Sequence, residues 1–275
     1  MMKRFARQSG QALLIVLLVM AVGLTIALSI VSRSVTDIRI SQGEEESARA
    51  FSAAEAGIEE SLRAGSAISP DLEGISIQVT ETERGGGDSF VFDSTIDEGD
   101  TQTVWLVPHD SDGNLVLSPY YTEGTIDVCW QETDPETALE AAIFYQDPAG
   151  NYKVARGAYD DQASSRGEGF DSPDSDQCSI LDRKKELNLA GFGITPSVDT
   201  LIALRLRPLY NQAEVGVEGA GGDGGLIPTQ EKCFESTATT ENGVTRKVRQ
   251  CQSFPAPPAI FDYVLFSGTD IDTAP

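Results

Sequence analysis

The sequence is poor in the groups that most enzymes use. It has a single histidine, His109, among 275 residues. The one stretch with triad letters, Pro108-His109-Asp110-Ser111, strings them along contiguous positions. Contiguous side chains diverge and do not converge on one substrate atom, so the stretch reads as a turn. The four cysteines, Cys129, Cys178, Cys233 and Cys251, include no C-x-x-C unit, which argues against a structural zinc site. The glycine run at 218–225 has no Lys-Ser or Lys-Thr after it and is therefore not a phosphate loop. Cations are scarce too: 20 Lys and Arg stand against 43 Asp and Glu, a net charge of −23. Such a surface repels nucleic acid phosphates and anionic headgroups, so nucleic acid is not expected as a partner. Paired carboxylates occur throughout so acidic a chain and carry no information about catalysis. The expectation is a protein that is not an enzyme and needs no cofactor.

What the sequence does have is a long apolar run near its start. Residues 12–31 contain no charged side chain. About 20 apolar residues at 1.5 Å rise cross a bilayer core of roughly 30 Å. Lys3, Arg4 and Arg7 precede the run, and Glu44, Glu45 and Glu46 follow it. The positive-inside rule then keeps the N-terminus cytoplasmic and exports the body. A cleaved secretory signal has a shorter apolar core and a small-x-small exit site, which this run does not match. Hydropathy alone does not separate a plain signal anchor from a leader processed at Ser9-Gly10-Gln11.

The residues after the run keep a helical pattern. They lack proline up to Pro70 and are rich in Glu, Ala, Arg and Ser. Val35 and Ile38 open an apolar stripe that Phe51, Ala54, Ile58 and Leu62 continue at spacings of three and four. Glu45 and Arg49 are spaced as a favourable i,i+4 pair, Gly43 is a place for a kink, and Gly65 followed by Pro70 ends the helix. Taken together, 11–64 would form a helix of about 80 Å, its first half in lipid or a filament core and its second half laid on a folded body.

Basic leader, Gly10, long apolar helix and amphipathic continuation resemble the prepilin signal of type IV pilins. The stretch Ala50-Phe51-Ser52-Ala53-Ala54-Glu55-Ala56-Gly57 resembles the helix of PilX-type minor pilins. The resemblance covers roughly residues 3 to 64. It implies cleavage after Gly10 by a prepilin peptidase, Gln11 as an N-methylated first residue, and other pilin subunits as partners. Major pilins carry Glu at the fifth mature position, where its carboxylate meets the N-terminal amine of a neighbouring subunit; here that position is Ile15. An unpaired charge in an apolar filament core is costly, and Ile15 removes both charge and pairing. That departure is similar to the K-type pseudopilin of type II secretion, found at a filament tip. It implies a minor or capping subunit, and equally suits a signal-anchored cell-surface binding module that does not polymerise.

Beyond Pro70 short β-branched and aromatic runs alternate with Gly, Asp, Asn and Pro clusters. Strands are predicted at 75–81, 89–95, 103–107, 115–117, 125–131, 142–145, 153–158, 201–206, 214–217, 231–238, 244–252 and 260–266. A turn at 148–151 joins two of them into a hairpin, and a short helix is predicted at 135–141 with Asp134 as its cap. The apolar run at 258–268 is expected to close a sheet, an exposed adhesive strand being the sharper alternative. The stretches 160–177 and 218–225 read as loose, exposed loops.

The cysteines lie in the predicted exported part. Cys233 and Cys251 are equidistant from Asn242 in Glu241-Asn242-Gly243. A three-residue hairpin loop with Gly243 left-handed would set them opposite each other, within disulfide reach. Cys129 with Cys178 follows by elimination; four buried free thiols are the alternative. Asp110, Asp112 and Asn114 have the alternating spacing of a calcium loop, but the glycine sits at 113 and no Glu closes the loop, so a plain turn is favoured. Asp171, Asp174 and Asp176 form a second acidic cluster. The expected architecture is α+β: leader 1–10, transmembrane half-helix 11–32, amphipathic half-helix 33–65, and a mainly antiparallel β-rich exported domain 70–275.

Overall fold

A computed structural model describes residues 9–262 apart from 112, 134 and 223, with side chains from Leu13 to Ile260. One helix is followed by a β-rich body, an α+β fold. The chain divides into two compact units, Met1–Glu81 with Phe234–Gln250, and Thr82–Cys233 with Cys251–Pro275. The second unit is therefore largely an insertion in the sequence of the first.

The first unit begins with α1 (Ser9–Ala64). The helix runs unbroken through Gly43 and stops where Gly65 turns left-handed at φ 69°. Three strands follow in the order β1-β10-β11: β1 (Ile75–Arg84), β10 (Glu231–Thr240) and β11 (Thr245–Ser253). The core of this unit is small. Ala53, Ala54 and Ile58 of α1 pack on Ile77, Val79, Phe234 and Ala238.

The second unit is a sandwich of two four-stranded sheets. One has the order β2-β9-β4-β7, from β2 (Ser89–Val91), β9 (Val215–Gly219), β4 (Thr125–Trp130) and β7 (Arg183–Asn188). The other has the order β3-β8-β5-β6, from β3 (Gln102–Trp105), β8 (Thr200–Leu209), β5 (Ala138–Gln146) and β6 (Tyr152–Tyr159). The ladders within both sheets are antiparallel. Alternate residues of each meet in one core: Ile126, Val128 and Trp130 from β4, Val215 and Val217 from β9, Leu139 and Ile143 from β5, Leu204 and Leu206 from β8. That alternation is what a sheet with one buried face requires.

One turn recurs three times. In Asp110–Asn114, Asp147–Asn151 and Thr240–Val244 the first N–H donates to the last carbonyl, and the glycine N–H in fourth position donates back to the first carbonyl. Gly113, Gly150 and Gly243 sit at φ 81°, 83° and 81°, a region L side chains rarely adopt. In the first two, the leading Asp carboxylate also accepts from the Asn backbone N–H at 2.9 Å. The second of them closes the predicted β5–β6 hairpin.

Several local expectations are corrected. The stretch predicted as helix at 135–141 enters β5 at Ala138, because Ala138, Leu139 and Ala141 are buried in the sandwich and packing overrides the helical propensity of an Ala-Glu run. Asp134 lies outside the described residues. Residues 115–117 make only an isolated bridge, His109 to Leu115. Of the strand predicted at 260–266, residues 260–262 belong to a single 3-10 turn (Ala259–Asp262) and the rest lie outside the described residues. Strand β7 was not predicted. Its sequence RKKELN buries only Leu187, so it shows no alternation. Charge fixes it instead: Arg183 reaches Glu136 and Asp161, Lys184 reaches Asp127, and Lys185 reaches Asp174. A lysine-rich edge also discourages pairing with other chains.

The stretches read as loose are tied down. Within 160–177, Asp160 is fully buried and bonded to Arg166 of the one-turn helix α2 (Ala163–Arg166). The glycine run folds back on itself over the buried Tyr121: a Cβ on Gly219 would stand 1.8 Å from the Gly225 carbonyl oxygen and 3.4 Å from the Tyr121 ring. Tyr121 Oη accepts from the Ala220 N–H at 3.0 Å. Glycine is required there by close approach of backbone, not by flexibility.

Candidate functional site

The feature most open to a role is α1 itself, which has two unlike halves. Every described side chain from Leu13 to Glu45 is exposed. The apolar part, including Leu17, Leu18, Val19 and Ile26, is left exposed among the described residues. The helix is long and apolar enough to cross a membrane. Gly10 and Gln11 lie in its first turns, while Lys3, Arg4 and Arg7 lie outside the described residues.

From Ala50 onward the helix is packed. Ala50, Ala53, Ala54, Gly57, Ile58 and Ser61 are buried, while Phe51, Glu55 and Ala56 face out. The apolar stripe expected from the sequence is therefore corrected: Ala54, Ile58 and Leu62 lie on the packed side, but Val35, Ile38 and Phe51 are 44%, 55% and 46% exposed. Small residues, not large ones, mark the buried side, at i,i+4 spacing: Ala53, Gly57, Ser61 and Ala50, Ala54. A row of small side chains lets backbone approach backbone, and the approach is close at Gly57. A Cβ there would stand 2.5 Å from Ser236 Oγ, 3.0 Å from Ile77 Cγ2 and 3.1 Å from Val79 Cγ2. Ser61 holds the exit of the helix, accepting from the Ile68 N–H at 3.0 Å and donating to the Ile68 carbonyl at 3.2 Å. Near the other end of the packed half, Arg246 of β11 donates to Ser47 Oγ at 2.8 and 2.6 Å. Arg49 pairs with Glu46 at 3.4 Å and not with Glu45. Ser61 and Ser236 lie outside the hydrophobic stripe expected from the sequence; for Ser61 the small-residue spacing along α1 is the sequence signal.

The described residues hold two disulfides, one between the pair that the hairpin spacing sets opposite each other and one between the pair left by elimination. Cys233 joins Cys251, with the Thr239 and Thr245 hydroxyls hydrogen-bonded at 3.0 Å, also symmetric about Asn242. Cys129 of β4 joins Cys178. The groups that bring three sulfur or carboxylate ligand atoms together, Cys129, Cys178, Glu218 and Glu231, Cys233, Cys251, are built on these bonded sulfurs and offer no thiolate.

The acidic clusters are engaged otherwise. Asp110 Oδ1 accepts from the Asn114 N–H at 2.9 Å and Asp110 Oδ2 from the Asn114 side-chain amide at 3.2 Å, while Asp112 lies outside the described residues. Asp174 and Asp176 reach Lys185 and Lys184 at 3.0 and 3.3 Å. Asp171 contributes backbone bonds to Ala158 and Asp160.

His109 is packed between rings. Phe254 stacks on it at 3.8 Å and Trp105 meets it edge-on at 5.0 Å. Partial burial pushes its pKa below the usual 6.5, only partly opposed by Asp110. A histidine lowered on folding prefers its neutral form in the fold. Its contribution to stability is therefore full above about pH 6.5 and is lost as pH falls toward the folded value. As the sole histidine, its ring protons are expected to titrate by NMR with a midpoint below 6.5; a midpoint at or above 6.5 contradicts the packing argument.

No family model, no curated protein and no solved structure matches the chain.

Proposed function

We propose that this chain is a minor pilin or pseudopilin, anchored by α1 with its N-terminus cytoplasmic, that assembles into or caps a type IV pilus-like filament and presents the β-rich body outside the cell. The observation that carries the reading is the division of α1. One continuous helix leaves its apolar first half, from Leu13, exposed among the described residues, while small residues of its second half pack on β1 and β10. A helix half that only a bilayer or neighbouring helices can cover is what such a subunit needs, since helices associate in lipid by close packing. The prepilin-like leader around Gly10 and the run Ala53-Ala54-Glu55-Ala56-Gly57 support the same reading. Two disulfides support export to an oxidising compartment.

Ile15 suits a second reading equally, a signal-anchored surface module that never polymerises. Filaments sheared from cells producing the tagged full chain separate the two. The minor-pilin reading expects the tag in the filament fraction at low stoichiometry and its loss from that fraction with Val22→Arg, which places a charge in the apolar half at a cost of about 3 kcal/mol. A tag found only in the membrane fraction, with filaments present, favours the surface module.

A further inference from the structure

Strand β6 is one edge of the sheet β3-β8-β5-β6, and its ladder with β5 sorts its main-chain groups. The Asp160 N–H donates to the Asp171 carbonyl, and the Ala158 carbonyl accepts from the Asp171 N–H. Even-numbered residues of β6 therefore turn their main-chain groups away from β5. At the hairpin end the Asp147 N–H donates to the Asn151 carbonyl, which gives the same parity. Tyr152 and Val154 thus hold an N–H and a carbonyl each toward the open edge, where no backbone group among the described residues meets them. Their side chains are 68% and 47% exposed. Other edge strands are guarded by cations: β7 carries Lys184 and Lys185, and β11 carries Arg246, Lys247 and Arg249. On β6 the cation beside these residues, Lys153, is held by Asp147 at 3.0 Å. An edge with open main-chain groups and apolar side chains is a template for a further strand.

The strand that this edge fits is its own copy. An antiparallel partner sets outward-turned residues opposite outward-turned residues. A two-fold axis at Lys153 then places Tyr152 opposite Val154 of a second copy, and Val154 opposite Tyr152 of that copy. Each such pair exchanges reciprocal N–H···O bonds and lays an aromatic ring on a β-branched side chain, a favoured cross-strand pair. Charge permits the approach. The chain has a net charge of −23, yet along this stretch Lys153 pairs with Asp147 and Arg156 with Glu140 at 2.9 Å. Two copies therefore meet here with acid and base locally matched. The two Lys153 side chains come opposite each other with each ammonium engaged by its own Asp147. We propose that two copies of this chain associate edge to edge through β6, antiparallel, with Lys153 at the two-fold axis.

The test uses the full chain in detergent solution, where the native cysteines are bonded in two disulfides and a new cysteine supplies the reactive thiol. Lys153→Cys is expected to give a covalent dimer under mild oxidation, because residues directly opposite across a strand pair bring their Cβ atoms within disulfide reach. Ala155→Cys lies further along the same side, opposite residue 151 of the second copy, and is expected to give about fivefold less dimer. Adding Val154→Pro to Lys153→Cys is expected to lower the dimer yield about tenfold, since it removes an outward N–H that the sheet of the single chain does not use. Val154→Lys keeps that N–H, places a charge on the edge, and is expected to lower the yield as well. Absence of dimer with Lys153→Cys overturns the proposal. So does an equal yield from Ala155→Cys, or a yield that neither substitution of Val154 lowers.

Discussion

Gly57→Val is expected to loosen the first unit by about 3 kcal/mol, at the upper end of the cost of overpacking a closed contact. The first added carbon alone would fall 2.5 Å from Ser236 Oγ and about 3 Å from two methyl groups. Ser236 is fully buried, so its hydroxyl has little room to yield. The two further methyls of valine meet the same wall. Helix propensity acts in the opposite sense, since valine is a better helix former than glycine by a few tenths of a kcal/mol, too little to offset the clash. Ala56→Val, one residue away on the exposed side, is the control and should cost only the helix propensity that alanine supplies, up to about 0.7 kcal/mol. Hydrogen exchange of β1, β10 and the packed half of α1 reads the effect locally. Equal protection in the two variants would show that helix and sheet do not meet closely at Gly57.

The second large effect concerns the disulfides. Removing Cys129–Cys178 with paired serines is expected to cost about 4 kcal/mol, and removing Cys233–Cys251 about 3 kcal/mol. The sequence separations are 49 and 18 residues, and a longer closed loop holds more entropy in the unfolded chain. Context adds to the difference. Cys129 is fully buried in β4, and its bond clips the acidic segment before β7 onto the sandwich. Cys233–Cys251 joins two strands already held by the Thr240–Val244 turn. Denaturant unfolding followed through Trp130 reads the first variant directly. A larger loss from the second pair would mean that strain or residual structure, not loop length, sets the balance.

How much of this was legible depends on what encodes each element. Strands such as β4 were readable because Ile126, Val128 and Trp130 alternate, and the Cys233–Cys251 pairing because Asn242 centres a turn whose glycine must be left-handed. β7 was not readable, since its position is written in ion pairs with Asp127, Glu136, Asp161 and Asp174 from elsewhere in the chain. The start of β5 was misread because an alanine-rich run favours helix until burial decides. The glycines at 218–225 looked like slack; they are where backbone meets backbone. On α1 the length, the apolar half and the stop at Gly65 were plain, but Phe51 was placed inward when a row of small residues does the packing. Sequence patterns report chemistry along one element well, and report poorly the contacts that depend on a partner far away in the chain.

The most direct test of the account is the mass of the N-terminus of the full chain, produced with and without a co-expressed prepilin peptidase. Processing as a pilin predicts a new terminus at Gln11, with a methyl group on its amine, only when the peptidase is present. A leader that stays intact in both cases would contradict that reading and leave α1 as the anchor of a surface protein.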